Sequence, residues 1–185
     1  MFIRLKKRKT KSGCTKTYAY LVLSKHTSEG PRQKVKKYLG RVYALKKLSN
    51  SQILIKKTFQ ETVLQTAIQE LKAHGFRSSK SKVVHFEGFI FDQKAKSFTD
   101  KNNVPIGLIL NQGVFCGYTY ARLIAIAGKH KERRRLGKEL GKALIEAGLS
   151  VTPDEFLKIF NLLSEIPTTV NNDQQSSTMP NNAQQ

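Results

Sequence analysis

The chain opens in strict alternation. In residues 2–9 (FIRLKKRK), Ile3 and Leu5 fall on one side and Arg4, Lys6 and Arg8 on the other, the period of two that a half-buried strand requires. The pattern recurs in residues 17–24, where Ala19, Leu21 and Leu23 share one face and Tyr18, Tyr20 and Val22 the other. It recurs again in residues 32–39, with Val35 and Leu39 opposed to Arg32, Lys34, Lys36 and Tyr38. Turn chemistry separates the segments: Lys11-Ser12-Gly13-Cys14 first, then a loop at residues 26–31 built on Gly30-Pro31. Gly40 is expected to close the third strand. Three such strands predict an antiparallel sheet with an aliphatic back and a basic, tyrosine-bearing front.

The period then lengthens. Residues 42–50 read as a basic connector, and residues 52–57 are ambiguous between a fourth strand and the start of a helix. Thr58 and Glu61 form a capping box. Phe59, Val63, Ala67 and Leu71 follow at four-residue spacing, with Leu64 and Ile68 beside them, until Gly75 stops the helix. A second β-rich unit comes next. It comprises a long aromatic strand at residues 83–91, a turn at 93–96, a short strand at 97–100, a turn at 101–103 and a strand at 106–110. Phe86, Ile90, Leu108 and Leu110 are the expected core residues. Thr119 can cap a helix that runs to about Ala127; the pattern breaks at Gly128-Lys129-His130 and resumes at residues 132–147 on a stripe of Leu136, Leu140, Leu144 and Ala147. Gly137 and Gly141, four apart, would admit a neighbouring helix closely. After Gly148, the run Thr152-Pro153-Asp154-Glu155 is a strong helix start, with Phe156, Ile159, Phe160 and Leu163 as its apolar face. From Pro167 onward the chain is Asn, Gln, Ser and Thr, with no core-forming pattern, and reads as a disordered polar tail. The fold class is α+β. A basic three-stranded antiparallel sheet (1–48) precedes a mixed helix and β-hairpin domain (49–166) that ends in helices, and a polar tail (167–185) comes last.

Charge changes this picture more than composition does. The 185 residues carry a net charge of +20, and 39% are hydrophobic, enough for a core. Residues 1–47 hold fifteen Lys and Arg against one acid, Glu29, so +14 of the +20 sits in a quarter of the chain. A solvated sheet face with cross-strand tyrosine packing would need no such density. A face that contacts phosphates would, with Tyr18, Tyr20 and Tyr38 available for packing or base contact. A basic membrane-surface helix is disfavoured because the charge is densest in strand-like sequence. No apolar run approaches a membrane span, and no apolar stretch succeeds the N-terminal charges as a secretory signal would require. Two cysteines, Cys14 and Cys116, read as free thiols of a cytoplasmic protein. Four scattered histidines give no zinc site, and nothing in the chain points to a cofactor.

The segments FIR-x-K-K, TYAYLVLS and GPRQKVKKYLGRV resemble the N-terminal region of DDE-type insertion-sequence transposases. They are also similar to the opening of small uncharacterised basic proteins of archaea. The resemblance covers about residues 1–45. It implies a nucleic-acid-binding segment, with Arg32, Lys34, Lys36, Lys37 and Arg41 at the matching positions and Tyr18 and Tyr20 in the matching strand. In those transposases the segment precedes a catalytic core, and the later residues here do not resemble its acid-bearing strands.

A second basic cluster, Lys129, Lys131, Arg133, Arg134 and Arg135, is either a solvated helix start or an auxiliary phosphate contact. A helix-turn-helix reading of the C-terminal helices is weak, because residues 153–164 offer Asp154, Glu155 and only Lys158 to a groove. Metal-dependent cleavage would need converging carboxylates. Glu87 and Asp92 are the one pair worth naming, and an uninterrupted strand would put them on opposite faces. The expected function is non-enzymatic nucleic-acid binding, DNA favoured over RNA, with no membrane partner. The candidate contacts are Arg4, Lys6, Arg8, Tyr18, Tyr20, Arg32, Lys34, Lys36, Lys37, Tyr38 and Arg41. Lys131, Arg133, Arg134 and Arg135 are auxiliary. The alternatives are an RNA- or ribosome-associated basic protein, a metal-dependent nuclease or transposase remnant, and a protein-interaction module whose charge serves solubility.

Overall fold

The computed structural model describes residues 1–50, 53–79, 81–85, 87–128 and 132–164. Lys129, Lys131, Phe86 and the expected polar tail therefore lie outside the described residues. The three N-terminal strands form as the alternation predicts: β1 (Phe2–Lys9), β2 (Thr15–Thr27) and β3 (Gly30–Ala44), each antiparallel to the next. The last two are longer than expected, at 13 and 15 residues, because the loop at 26–31 contracts to a tight turn.

Gly40 does not end β3; the strand runs on to Ala44. At φ +118° Gly40 lies where a β-carbon would sit 2.2 Å from the Pro105 carbonyl oxygen. Only glycine lets the two chains approach there, and beyond it β3 pairs in parallel with β8 (Ile106–Leu110). A further strand, β9 (Gly113–Cys116), pairs antiparallel with β8. The N-terminal sheet is therefore five-stranded, ordered β1-β2-β3-β8-β9.

Between β3 and β8 the chain builds α1 (Phe59–Ala73) and a second antiparallel sheet of four short strands, β4 (Arg77–Ser79), β5 (Lys82–Val84), β6 (Ile90–Asp92) and β7 (Ser97–Thr99). Thr58 caps α1 as predicted, its hydroxyl accepting from the Glu61 amide. The apolar run 83–91 is two strands rather than one. His85 and Phe89 close a turn within it, the His85 amide donating to the Phe89 carbonyl at 2.9 Å. The hairpin after β7 takes the expected turn, with the Asp100 carboxylate accepting from the Asn102 and Val104 amides.

The helical half comprises α2 (Gly117–Ile124), a short 3-10 turn (Ala125–Gly128), α3 (Arg133–Ala147) and α4 (Pro153–Ser164). Thr119 does not precede α2 as its cap. It sits inside the first turn, and its hydroxyl accepts from the Cys116 amide. Gly137 and Gly141 admit α4 as expected, with Phe160 and Phe156 rings over them. At the start of α4 the capping box is reciprocal: Glu155 donates its amide to the Thr152 hydroxyl and its carboxylate accepts the Thr152 amide at 2.8 Å.

Two cores result. The larger joins α1, the second sheet, one face of β8–β9 and the three later helices, and Phe91, Phe98, Phe115 and Tyr120 meet edge-on at its centre. The smaller lies on the other face of the five-stranded sheet, where Ala19, Leu21, Leu39 and Val42 pack with Val114 and Cys116. Burial pushes the Tyr120 hydroxyl up to about 12 and raises the Cys116 thiol, so both stay protonated at neutral pH.

Candidate nucleic-acid interface

Residues directly opposite across an antiparallel pair share a face. Arg4 faces Tyr20, which faces Tyr38; Lys6 faces Tyr18, which faces Arg41; Arg8 faces Lys16. One face of the ribbon thus carries five cations and three tyrosines. Sequence reasoning identified all of these except Lys16, whose place opposite Arg8 depends on the β1–β2 register. The rings form a continuous row. Tyr38 lies 5.4 Å from Tyr20 and 6.3 Å from Tyr18, tilted against both. Lys6 Nζ stands 5.5 Å over the Tyr20 ring, and the Arg41 guanidinium 4.5 Å over Tyr43, which in turn packs on Phe89 at 4.6 Å. Tyr43 and Phe89 thus anchor this end of the face to the main core. Tyr38 remains 46% exposed. Partial burial and the neighbouring Tyr18, Tyr20 and Tyr43 hydroxyls raise its pKa against the opposing pull of Arg41, so it is a neutral hydrogen-bond donor.

These cations have no acids beside them. Arg4 bonds to the Gln33 side chain, and among the described residues none of Arg4, Lys6, Arg8, Lys16 and Arg41 enters an ion pair. Arg8 opposite Lys16, and Lys25 opposite Arg32, are like charges set directly across from one another, which destabilises a sheet. The ribbon's one internal ion pair joins Arg32 to Glu29 at the tip, both ends exposed.

The third strand departs from simple alternation. Ala19 pairs with Gly40 but Tyr20 with Tyr38, and Leu21 with Lys37 but Val22 with Val35. Leu39 and Lys36 are therefore the extra residues of two β-bulges, and each bulge reverses the phase of the alternation beyond it. Val35, expected on the aliphatic face, stands opposite Val22 on the tyrosine side and is exposed. Arg32 and Lys34, expected beside Tyr38, instead stand opposite Lys25 and Leu23 on the back, and Lys37 joins them opposite Leu21. The candidate contacts of β3 are thus divided between two faces.

At the second basic cluster, Arg133 lies 5.4 Å over the Phe160 ring and Arg135 sits 3.5 Å from Glu132. Arg134 is free of ion pairs among the described residues and begins an exposed line with Lys138 and Lys142 at four-residue spacing along α3. Lys142 reaches a cavity of about 580 Å³ shared with Phe2, Ile3 and Leu5 of β1.

The two carboxylates named as a candidate pair do not converge. Asp92 caps its turn, accepting from the Lys94 and Ala95 amides, and Glu87 is exposed in the interrupted strand. Among the described residues no three His, Cys, Asp or Glu side chains are grouped to hold a metal ion. Glu70, 1% exposed, is a buried carboxylate that sequence reasoning missed. Lys47 donates to it at 2.9 Å and Asn111 at 3.1 Å, which ties α1 to the end of β3's connector and to the β8–β9 turn. A second cavity, of about 640 Å³ between that turn, α3 and α4, is lined by apolar and neutral residues such as Leu144, Val151, Phe156 and Leu157. No family model, curated protein or solved structure matches the chain.

Proposed function

We propose that this is a non-enzymatic nucleic-acid-binding protein, DNA favoured, that contacts phosphates through the tyrosine-bearing face of its N-terminal ribbon. One observation carries the reading: Arg4, Lys6, Arg8, Lys16 and Arg41 gather around three adjoining tyrosines without an ion-pairing acid among the described residues. A fold that keeps like charges opposed in this way gives up stability unless a polyanion neutralises them. Beyond Val22, where β1 ends, β2 and β3 form a two-stranded tip with the dimensions to enter a DNA major groove, whereas the A-form major groove is too narrow. The resemblance of residues 1–45 to the N-terminal region of insertion-sequence transposases supports the same partner, without their chemistry. A cytoplasmic location belongs to this reading. Among the described residues no helix is long and apolar enough to cross a membrane.

The test is a salt titration of duplex DNA binding, with duplex RNA and single strands as competitors. If all five cations meet phosphates, log K falls against log salt with a slope of about −4.5. A slope near zero overturns the proposal. A second reading, single-stranded RNA stacked on the tyrosines, draws on the exposure of Tyr38. It predicts that single strands out-compete duplex DNA and that Tyr38→Leu weakens them by about 1–3 kcal/mol. Plasmid cleavage in Mg²⁺ that Glu87→Ala abolishes would overturn the non-enzymatic part.

A further inference from the structure

The two bulges of β3 do more than shift a register. The one at Lys36 places Arg32 and Lys34 on the face opposite Tyr38, beside Lys37, which plain alternation already puts there, and Lys25 stands across from Arg32. All four are exposed, and Glu29 at the tip, paired with Arg32, is the only acid among the ribbon's strands and turns. The back of the ribbon covers the smaller core at Ala19, Leu21, Leu39 and Val42, and beyond it Leu23 is the one aliphatic side chain among the strand residues that face the back. Beyond that core, toward the tip, it is cationic. A single duplex seated against the tyrosine face would leave these charges unneutralised.

Resting on the nucleic-acid reading above, we propose that the back of the ribbon tip is a second phosphate-binding surface, so that one molecule holds two nucleic-acid segments at once. The occupant is inferred from charge complementarity. Lys25 and Arg32 are directly opposed like charges, as Arg8 and Lys16 are on the front. The Arg8–Lys16 pair is destabilising in the free protein; at the tip Glu29 offsets part of the Lys25–Arg32 repulsion, and an intervening phosphate relieves what is left in both. The bulge at Lys36 is what lets one strand serve both faces, since an unbroken alternation would put Arg32 and Lys34 beside Tyr38.

The experiment is co-capture with the full chain. One DNA duplex is immobilised on beads, and a second, fluorescent duplex is offered in solution. Retention of protein on the beads reports binding, and retention of fluorescence reports bridging. Three triple variants are compared: Arg4→Gln/Lys6→Gln/Arg8→Gln on the front, Arg32→Gln/Lys34→Gln/Lys37→Gln on the back, and Lys57→Gln/Lys72→Gln/Lys158→Gln as an equal loss of charge elsewhere. Each is checked for a parent-like thermal melt. The proposal expects the parent and the third variant to bridge. It expects the front and back variants each to stay on the beads while co-captured fluorescence falls by at least about tenfold, since each lost phosphate contact alone weakens binding about eightfold at 0.1 M salt. Bridging at the parent level by the back variant overturns it. So does an equal loss in all three, which would make bridging a matter of net charge. Binding and bridging lost together in the front variant alone would mean a dimer that uses one surface per subunit, and this also overturns it. If the parent is not retained on the beads, the nucleic-acid reading itself fails.

Discussion

Replacing Arg8 by glutamine separates what the ribbon's charge does to the fold from what it does in binding. Arg8 and Lys16 are cross-strand partners with no acid near either, and both lie on the front of the ribbon. Both side chains reach solvent, so screening holds their repulsion to a few tenths of a kcal/mol. Arg8→Gln removes it, and the melting temperature rises by about 1 °C in a chain of this size. Binding moves the other way. One phosphate contact contributes about 0.9 to the slope of log K against log salt on duplex DNA. Loss of that contact lowers affinity about eightfold at 0.1 M salt and about threefold at 0.3 M, and converges on the parent near 1 M. Fluorescence anisotropy with a labelled duplex across that range reads the slope, and calorimetry reads the melt. Lys57→Gln, an exposed cation outside the ribbon, leaves the slope unchanged. Two results refute the reasoning. An affinity loss of equal factor at every salt would mean that Arg8 meets something other than a phosphate. A fall in melting temperature would mean that the Arg8–Lys16 pair is not repulsive in the free protein.

Three further outcomes are expected from the fold. Gly40→Ala forces a β-carbon into the Pro105 carbonyl at a positive φ, and destabilises by more than about 3 kcal/mol in urea titration; a change under about 1 kcal/mol would show that β3 and β8 do not meet there. His85 is buried, a burial that lowers its pKa, and its Nδ1 accepts the Glu87 amide, so a second proton would set two donors face to face. Its folded pKa lies below the unfolded value of about 6.5, so its contribution is complete above that pH and is lost as pH falls from about 6.5 toward the folded value; the difference in urea midpoint between pH 7.5 and 5 shrinks in His85→Gln if this holds. Thr152→Ala removes one half of the α4 capping box and lowers stability by about 1 kcal/mol, and an unchanged urea midpoint would count against it.

What the sequence disclosed and what it withheld divide by range of interaction. The limits of β1, the cap at Thr58 and the helix start at Thr152-Pro153 depend on neighbours within four residues, and each was legible, although the reciprocal bond from Glu155 was not read. The split of residues 83–91 was missed although Glu87-Gly88 stands inside the run: a glycine there is the turn signal, and the apolar residues on both sides masked it. Nor was the pairing of β3 with β8, which joins residues more than sixty positions apart. β9 has four buried residues and so lacks the alternation that marks a half-exposed strand.

The same division runs through the candidate interface. Its charge and its tyrosines could be read directly, because composition does not depend on register. The face of each β3 residue could not, because a bulge is a property of two strands, and neither Lys36 nor Leu39 carries a local mark of being the extra one. The physical consequence lies at the tip. A ribbon with regular alternation would hold one basic face against one aliphatic face, and its tip, free of any core, would leave that aliphatic face in water. By reversing phase at Lys36, β3 turns Arg32 and Lys34 onto the back just where the smaller core ends. The reversal also turns Val35 onto the tyrosine face, where it stands 46% exposed, so the cations of the tip gather on the back while the front of the tip becomes less charged.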